Sequence, residues 1–285
     1  DYGDDVRQNS MDKVNEAAAI AKKSDLAIVV VGENPLRYQK SKTCGENIDR
    51  MGLDLLGTQN QLVQKIHETG VPTIVVLVGG RPLSVNWIAQ NVQALVQAWE
   101  PGALGGCALA NILAGKVNPS AKLPISIPRH SGQIQMIYNH KPSQYFHKYI
   151  DGPSTPLYPF GFGLSYTRFA YSSLKLSHTR ISDKDSFTAS IELTNVGDRE
   201  GTEVVQLYIR DIYSSATRPV KELKDFARVT LKPGEKKTVT FTVTPDKLAY
   251  WNRNMQYGVE KGEFEIMIGS SSQDKDLKKV KMEVL

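Results

Sequence analysis

The stretch SDLAIVVVGE, residues 24–33, decides the fold of the first half of the chain. It is a continuous apolar run closed by Gly32 and Glu33, with no polar residue on alternate positions. A strand with one wet face alternates, so an unbroken Val/Ile run reads as a strand of a parallel sheet covered on both faces. Working outward, Met11 to Lys23 sets Val14, Ala17, Ala18 and Ala21 at helical spacing, which makes a helix feeding this strand. On the other side the pattern repeats. Thr58 to Thr69 puts Leu62, Val63 and Ile66 on one helical face, Gly70 and Pro72 stop it, and TIVVLVGG is a second apolar run. A short helix near Ser84–Gln90, a third strand in VQALVQAW, a small-residue helix in GALGGCALANILAG and a short last strand in KLPISIP complete an α/β unit.

Past His130 the pattern gives way to a Pro-, Gly- and aromatic-rich segment ending near Tyr171, whose aromatics suit an ordered connector rather than a flexible linker. The period then changes to two. SFTASIELTN, TEVVQLYIR, KKTVTFTV and GEFEIMIG alternate apolar and polar residues, with turn residues at Asn195–Asp198 and Lys232–Glu235 and no helix signal between them. About seven strands in about 110 residues read as an immunoglobulin-like or fibronectin III-like sandwich. The expected organisation is an α/β domain over 1–150, a connector over 151–171 and an all-β sandwich over 172–285.

Composition bounds the function. The 285 residues, 40% hydrophobic, are enough for two domains with their own cores, and no apolar run approaches the roughly 20 residues of a membrane helix. The net charge of +5 is spread along the chain. Its densest group, Lys275, Lys278, Lys279 and Lys281, is interleaved with acids and apolar residues, which fits a solvated strand face rather than a nucleic-acid surface. Cys44 and Cys107 match no metal spacing, and Cys107 within GGCALANIL is expected to be a small buried thiol. His67, His130, His140 and His147 lack ligand spacing, so no metal site and no cofactor is expected. There is no GxSxG elbow, and the glycine pair of VVLVGGRP lacks the full dinucleotide fingerprint, which leaves a nucleotide-binding module without its phosphate loop.

Functional loops of parallel sheets leave the carboxyl ends of the strands. Two acids belong there: Glu33 at the end of the first strand, and Glu46 in KTCGENIDRMGLDL, residues 42–55. Any such acid is first a solvated loop residue. Gly45 before Glu46 permits close approach, and Asp49 and Arg50 stand where they can orient a carboxylate by hydrogen bonds, although Asp49 is also suited to cap the next turn. Trp99, at a strand end, suits stacking on a sugar ring and equally a packed core.

Taken in order, AKKSDLAIVVVGE, GENIDRMGLDLLGTQNQLV, VVLVGGRPLSV, LVQAWEPGALGGCALANILAGKVNPSAKLPISIPR, YNHKP, PLYPFGFGLSYTRFAYS, LTNVGDREGTEVVQLYI and VKELKDFARVTLKPGEKKTVTF resemble the C-terminal part of glycoside hydrolase family 3, the β-glucosidase and β-xylosidase type. The resemblance implies the later part of an α/β sandwich domain followed by a fibronectin III-like domain. It implies retaining hydrolysis of terminal β-linked sugars by an aspartate nucleophile and a glutamate acid/base roughly 5 to 5.5 Å apart. The nucleophile would belong to an N-terminal (β/α)8 barrel, and the acid/base to a loop that GENIDR matches. Glu46 thereby takes the acid/base role, with Asp49 and Arg50 in support and Glu33, which matches the GE at the strand end, as second choice.

No eight strand–helix repeats stand in this sequence, so the nucleophile is not expected in it, and the two further strands that the resemblance implies ahead of AKKSDLAIVVV are not expected in it either. The chain is expected to be one portion of a larger periplasmic or secreted enzyme, inactive alone, with that barrel and a β-glycoside as its partners. The alternative is a non-catalytic carbohydrate-binding or structural module, in which Trp99 or Trp251 would meet the glycan.

Overall fold

The computed structural model describes residues 10–33, 42–45, 47–142 and 149–285. They fall into two compact units, one of residues up to Ala114 together with Ile127–Ile134, the other of Gly115–Ser126 and Gln135–Leu285.

The first unit runs α1 (Asp12–Ala21), β1 (Ala27–Gly32), α2 (Gln59–His67), β2 (Thr73–Val78), α3 (Asn86–Asn91), β3 (Ala94–Trp99) and α4 (Gly105–Leu113). The strands form a parallel sheet in the order β1-β2-β3. Parallel pairing follows from the crossovers, because each strand returns through a helix. Helix α2 packs over β1 and β2 and is flanked by α1 and α3. It buries Val63 and Ile66, while α1 buries Val14 and Ala21, which are members of the apolar faces predicted from their spacing.

Three expectations are corrected here. The sheet is covered on both faces at β2, where the consecutive Val75, Val76 and Leu77 are buried, but not at β1, where Ile28 and Val30 are 51% and 56% exposed. The Val/Ile run fixed the strand, but coverage depends on how many layers pack on it. KLPISIP does not form a strand. Pro124 and Pro128 carry no N–H, and Leu123 exchanges both its backbone hydrogen bonds with Phe162 and Gly161, each at 2.8 Å. Cys107 is exposed, whereas Cys44 is buried.

The second unit is built from β4 (Phe169–Tyr171), β5 (Lys175–Leu176), β6 (Arg180–Ile181), β7 (Phe187–Asn195), β8 (Gly201–Asp211), β9 (Glu222–Leu231), β10 (Lys236–Val243), β11 (Tyr250–Trp251), β12 (Tyr257–Gly258), β13 (Gly262–Gly269) and β14 (Leu277–Val284). One sheet has the order β10-β7-β4 with β5 also on β7, a second has β6-β14-β13-β8-β9, and β11 pairs with β12. Between β10 and β11 lies a single helical turn, α5 (Pro245–Leu248), which the alternating pattern did not predict. Period-two burial is explicit in β7, where Phe187, Ala189, Ile191, Leu193 and Asn195 point inward. Phe187, Ala189, Ile191 and Leu193 share one core with Val205, Leu207, Val243 and Ile266.

Asn195 shows how a polar side chain is tolerated inside. Its Oδ1 accepts from Thr167 Oγ1 at 2.6 Å, and its Nδ2 donates to the carbonyls of Arg199 and Leu231 at 2.7 and 2.9 Å.

The compact units are divided differently from the 1–150, 151–171 and 172–285 expected from sequence. Residues 115–126 go with the sandwich because Lys122 pairs with the buried Glu203 at 2.8 Å and donates to the Gly163 carbonyl at 3.1 Å. Tyr138 stacks on Phe160 with ring centroids 4.2 Å apart, and Ser272 N–H donates to the Phe160 carbonyl at 3.0 Å, so aromatics of the connector are also bound to this unit.

Candidate active site

The carboxyl ends of β1, β2 and β3 bring charged and aromatic side chains to one rim of the α/β unit. Gly32 ends β1 at φ +144°, where a Cβ would lie 1.8 Å from the Val78 carbonyl oxygen, so only glycine lets the two strands close here. Glu33 follows, and its N–H donates to Val78 at 2.8 Å, one rung beyond the β1–β2 ladder. The backbone that carries the Glu33 side chain is therefore part of the sheet.

Glu33 is 2% exposed. A carboxylate at that depth is costly unless paired. Arg50 Nη1 donates to its Oε1 at 2.9 Å, and Arg81 Nε approaches Oε2 at 2.9 Å, close enough for an ion pair but off the axis of a good hydrogen bond. Arg81 then extends to the exposed Asp49 through Nη2 and to the Arg50 carbonyl through Nη1 at 3.3 Å. Arg50 also donates from Nη2 to the Asp54 carbonyl, and its own N–H donates to Asp49 Oδ1 at 2.7 Å. Beside them lies the buried Cys44 thiol.

The electrostatics follow from these contacts. Burial pushes the Cys44 thiol up and the Glu33 charge adds to this. The Arg50 N–H, with Arg81, holds the Asp49 carboxyl below its ordinary range. Burial works against the charged form of Arg81, but Asp49 and Glu33 outweigh it, so the guanidinium is held more firmly charged.

The loop that carries these groups is fixed from two further sides. Gln59, the first residue of α2, accepts from Gly32 N–H at 2.7 Å and donates to the Gly32 and Leu56 carbonyls at 3.0 and 3.1 Å. Leu53 accepts from the Ser84 N–H at 2.9 Å. Glu46 lies outside the described residues. Of its neighbours, Gly45 and Asn47 both have positive φ, +104° and +63°, and the Ile48 N–H donates to the Gly45 carbonyl at 3.0 Å.

Of the residues singled out from sequence, Glu33, Asp49 and Arg50 are therefore joined in one network. Trp99 ends β3, two strand spacings or roughly 10 Å from β1. It is half-buried, at φ +54°, beside a register shift that sets it opposite Val78, and its carbonyl accepts from the Gly79 N–H at 3.0 Å. A bulky side chain at positive φ is uncommon and marks a locally strained strand end.

Arg81, Cys44 and Gln59 were missed as members of this site. Arg81 carried a usable signal, a cation directly after the glycine pair at the end of the strand adjoining Glu33. Among the described residues no group of three or more His, Cys, Asp or Glu side chains is placed to hold a metal ion. No described helix is long and apolar enough to cross a membrane.

Comparison with known proteins agrees with this architecture. The family model of the glycosyl hydrolase family 3 C-terminal domain matches residues 4–166, and that of the fibronectin type III-like domain matches residues 203–272. A beta-xylosidase of Formosa agariphila is 46% identical over 285 residues, covering 99% of this chain and 39% of that protein. A periplasmic beta-glucosidase of Salmonella typhimurium is 41% identical over 91% of this chain and 34% of its own length. Among solved structures, a β-glucosidase from Erythrobacter marinus superposes with a TM-score of 0.88 at 40% identity, covering 95% of this chain and 36% of that one. A Listeria innocua beta-glucosidase in complex with glucose gives a TM-score of 0.88 at 33% identity, over 97% of this chain and 39% of that one. The chain thus spans between a third and two fifths of each of these relatives. With more than half of its length matched by the family's own model, and a fibronectin type III-like domain following, this chain belongs to glycosyl hydrolase family 3 through that family's C-terminal domain.

Proposed function

We propose that this chain forms part of a retaining, exo-acting β-glycosidase, a β-glucosidase or β-xylosidase, and supplies its general acid/base from Glu46. The observation that carries this reading is the anchoring of the GENIDR loop to the carboxyl rim of the parallel sheet through Asp49, Arg50, Arg81 and Glu33, in a chain whose relatives are named beta-glucosidase and beta-xylosidase. Glu33, the second candidate, has each carboxylate oxygen against a guanidinium, which leaves no open face for a glycosidic oxygen.

In the proposed reaction the Glu46 carboxylic acid protonates the glycosidic oxygen as an aspartate from the barrel attacks the anomeric carbon, and the aglycone leaves as an alcohol. The Glu46 carboxylate then takes a proton from water as it attacks the glycosyl-enzyme, which restores both carboxyl groups. Asp49 and Arg50 support the loop, and Trp99 is assigned to contact with the sugar. A periplasmic or secreted location is supported by the Salmonella relative's name.

The test is Glu46→Gln in the longer enzyme. Activity on a glycoside with a poor leaving group is expected to fall about 10²- to 10⁴-fold, the usual range for losing a general acid. The chain alone is expected to be inert toward nitrophenyl β-glucoside and β-xyloside; turnover that Glu46→Gln abolishes would overturn the division of the catalytic pair. A second reading, a carbohydrate-binding module, draws on Trp251, which is 61% exposed beside Tyr257 with ring centroids 5.4 Å apart. Glycan binding by the catalytically inert chain, lost in Trp251→Ala, would favour it.

A further inference from the structure

Two members of the network, Glu33 and Arg81, transfer no proton in the acid/base reading, yet they occupy its centre. Glu33 is paired with Arg50, four residues after position 46, and its charge acts on the buried Cys44 thiol two residues before it. Arg81 adds a second hold on the later side, on Asp49 and on the Arg50 carbonyl. The Glu33 backbone is itself fixed, by its bond to Val78 and by Gly79, at which a Cβ would lie only 3.2 Å from the Glu33 Cβ. The flank that follows position 46 is thus tied, directly and through Arg81, to a single carboxylate mounted on the sheet.

We propose that Glu33, acting with Arg81, is a positioning residue for the acid/base, an ionic anchor that holds the loop at Asp49 and Arg50 so that the Glu46 carboxyl is presented to the glycosidic oxygen. The proposal rests on the reading of Glu46 as acid/base. The anchor is ionic because the groups that converge on it are two guanidinium groups from separate elements, one on the loop and one after β2. An amide at position 33 keeps the shape but leaves the two guanidinium groups with only the exposed Asp49 carboxylate, on Arg81, as counter-charge. A lysine at position 81 keeps the charge but loses the planar fork that spans Glu33, Asp49 and the Arg50 carbonyl.

The experiment uses the full-length enzyme and the variants Glu33→Gln, Glu33→Asp, Arg81→Lys and Glu46→Gln. It compares kcat/KM, which reports formation of the glycosyl-enzyme, on a dinitrophenyl β-glycoside and on an alkyl β-glycoside. The dinitrophenolate leaves without protonation, whereas the alkoxide needs the acid. Displacement of a catalytic group by about 1 Å costs on the order of 10²-fold. Glu33→Gln is therefore expected to lose about that factor on the alkyl glycoside and about threefold or less on the dinitrophenyl one. Arg81→Lys and Glu33→Asp should show the same preference at smaller amplitude. Azide, a nucleophile that needs no general base, should raise kcat of Glu33→Gln on the dinitrophenyl substrate.

Equal losses on both substrates would make Glu33 a residue of the fold alone and overturn the proposal, as would no loss on either. Should Glu33→Gln fail to fold, Glu33→Asp and Arg81→Lys carry the same comparison. The two readings fail separately. If Glu46→Gln shows no dependence on the leaving group while Glu33→Gln shows the full one, Glu33 is itself the acid and both fall. If Glu46→Gln shows the dependence and none of the other three variants does, only the anchor falls.

Discussion

Asp211 closes β8 at 8% exposure, where its carboxylate meets Arg218 Nη1 at 3.8 Å. That guanidinium is shared. It also pairs with Glu222 at 2.5 Å and lies 4.4 Å from the centroid of the Tyr250 ring. Burial pushes the Asp211 carboxyl up to about 6; Arg218 opposes this, and Glu260 and Glu222 add to it. The unfolded chain would release this proton near pH 3.9. Between those values the folded state holds a proton that the unfolded state has lost, so this residue's contribution to stability falls as pH rises toward 6 and stays low above it. Urea unfolding from pH 4.5 to 7 should therefore show a stability loss in the unsubstituted protein that Asp211→Asn removes. Identical pH profiles would show that Asp211 does not titrate in this window.

At the same scale Glu33 was legible from sequence as a strand-end acid, and so was the Asp49–Arg50 pair. Their joint partner Arg81 was not. GGRP places a cation at a strand end, but nothing local to it says which carboxylate its guanidinium will meet.

Among the elements, α2 does more than cover the sheet. β1 lies at the end of the described sheet order, and the side chain of Gln59 satisfies both the N–H and the carbonyl of its last residue, Gly32. Gln59→Ala leaves that pair without its partner, at a cost of roughly 1–3 kcal/mol for a poorly hydrated donor. Urea unfolding should register a loss of that size; a change within about 0.3 kcal/mol would mean that another group takes over. The existence of α1, α2 and the first three strands was readable because helix and strand periods are local properties of the backbone. KLPISIP shows the limit of that reading. Its apolar alternation is strand-like, but the hydrogen bonds of Leu123 go to residues 161–162 rather than to the parallel sheet.

For the whole molecule, residues 115–126 are joined to the sandwich by polar contacts far apart in sequence. Lys122 neutralises Glu203, which is 5% exposed, Asn118 Nδ2 donates to the Glu200 carbonyl at 3.0 Å, and Arg228 Nη2 donates to Ser120 Oγ at 3.0 Å. Burial raises the Glu203 carboxyl and Lys122 counters it. Removing one member of a buried ion pair typically costs about 3–5 kcal/mol. A sandwich starting at residue 115 should therefore be more stable than one starting at residue 135, which keeps β4 and the connector, by about that amount in urea unfolding. Equal stability would show that residues 115–126 do not brace the sandwich.

The sequence by itself determined the two architectures, through a helix-and-run pattern in the first half and a period of two in the second, because each is written within a window of about ten residues. It also pointed to the rim, since acids that follow a buried strand have few other places to go. Only the tertiary structure decided that Glu33 lies buried between Arg50 and Arg81, that Cys107 is exposed and that residues 115–126 pack with the sandwich. The physical reason is range. Backbone periodicity is set by neighbours along the chain, whereas burial and charge pairing depend on which strands come to lie side by side and how many layers cover them.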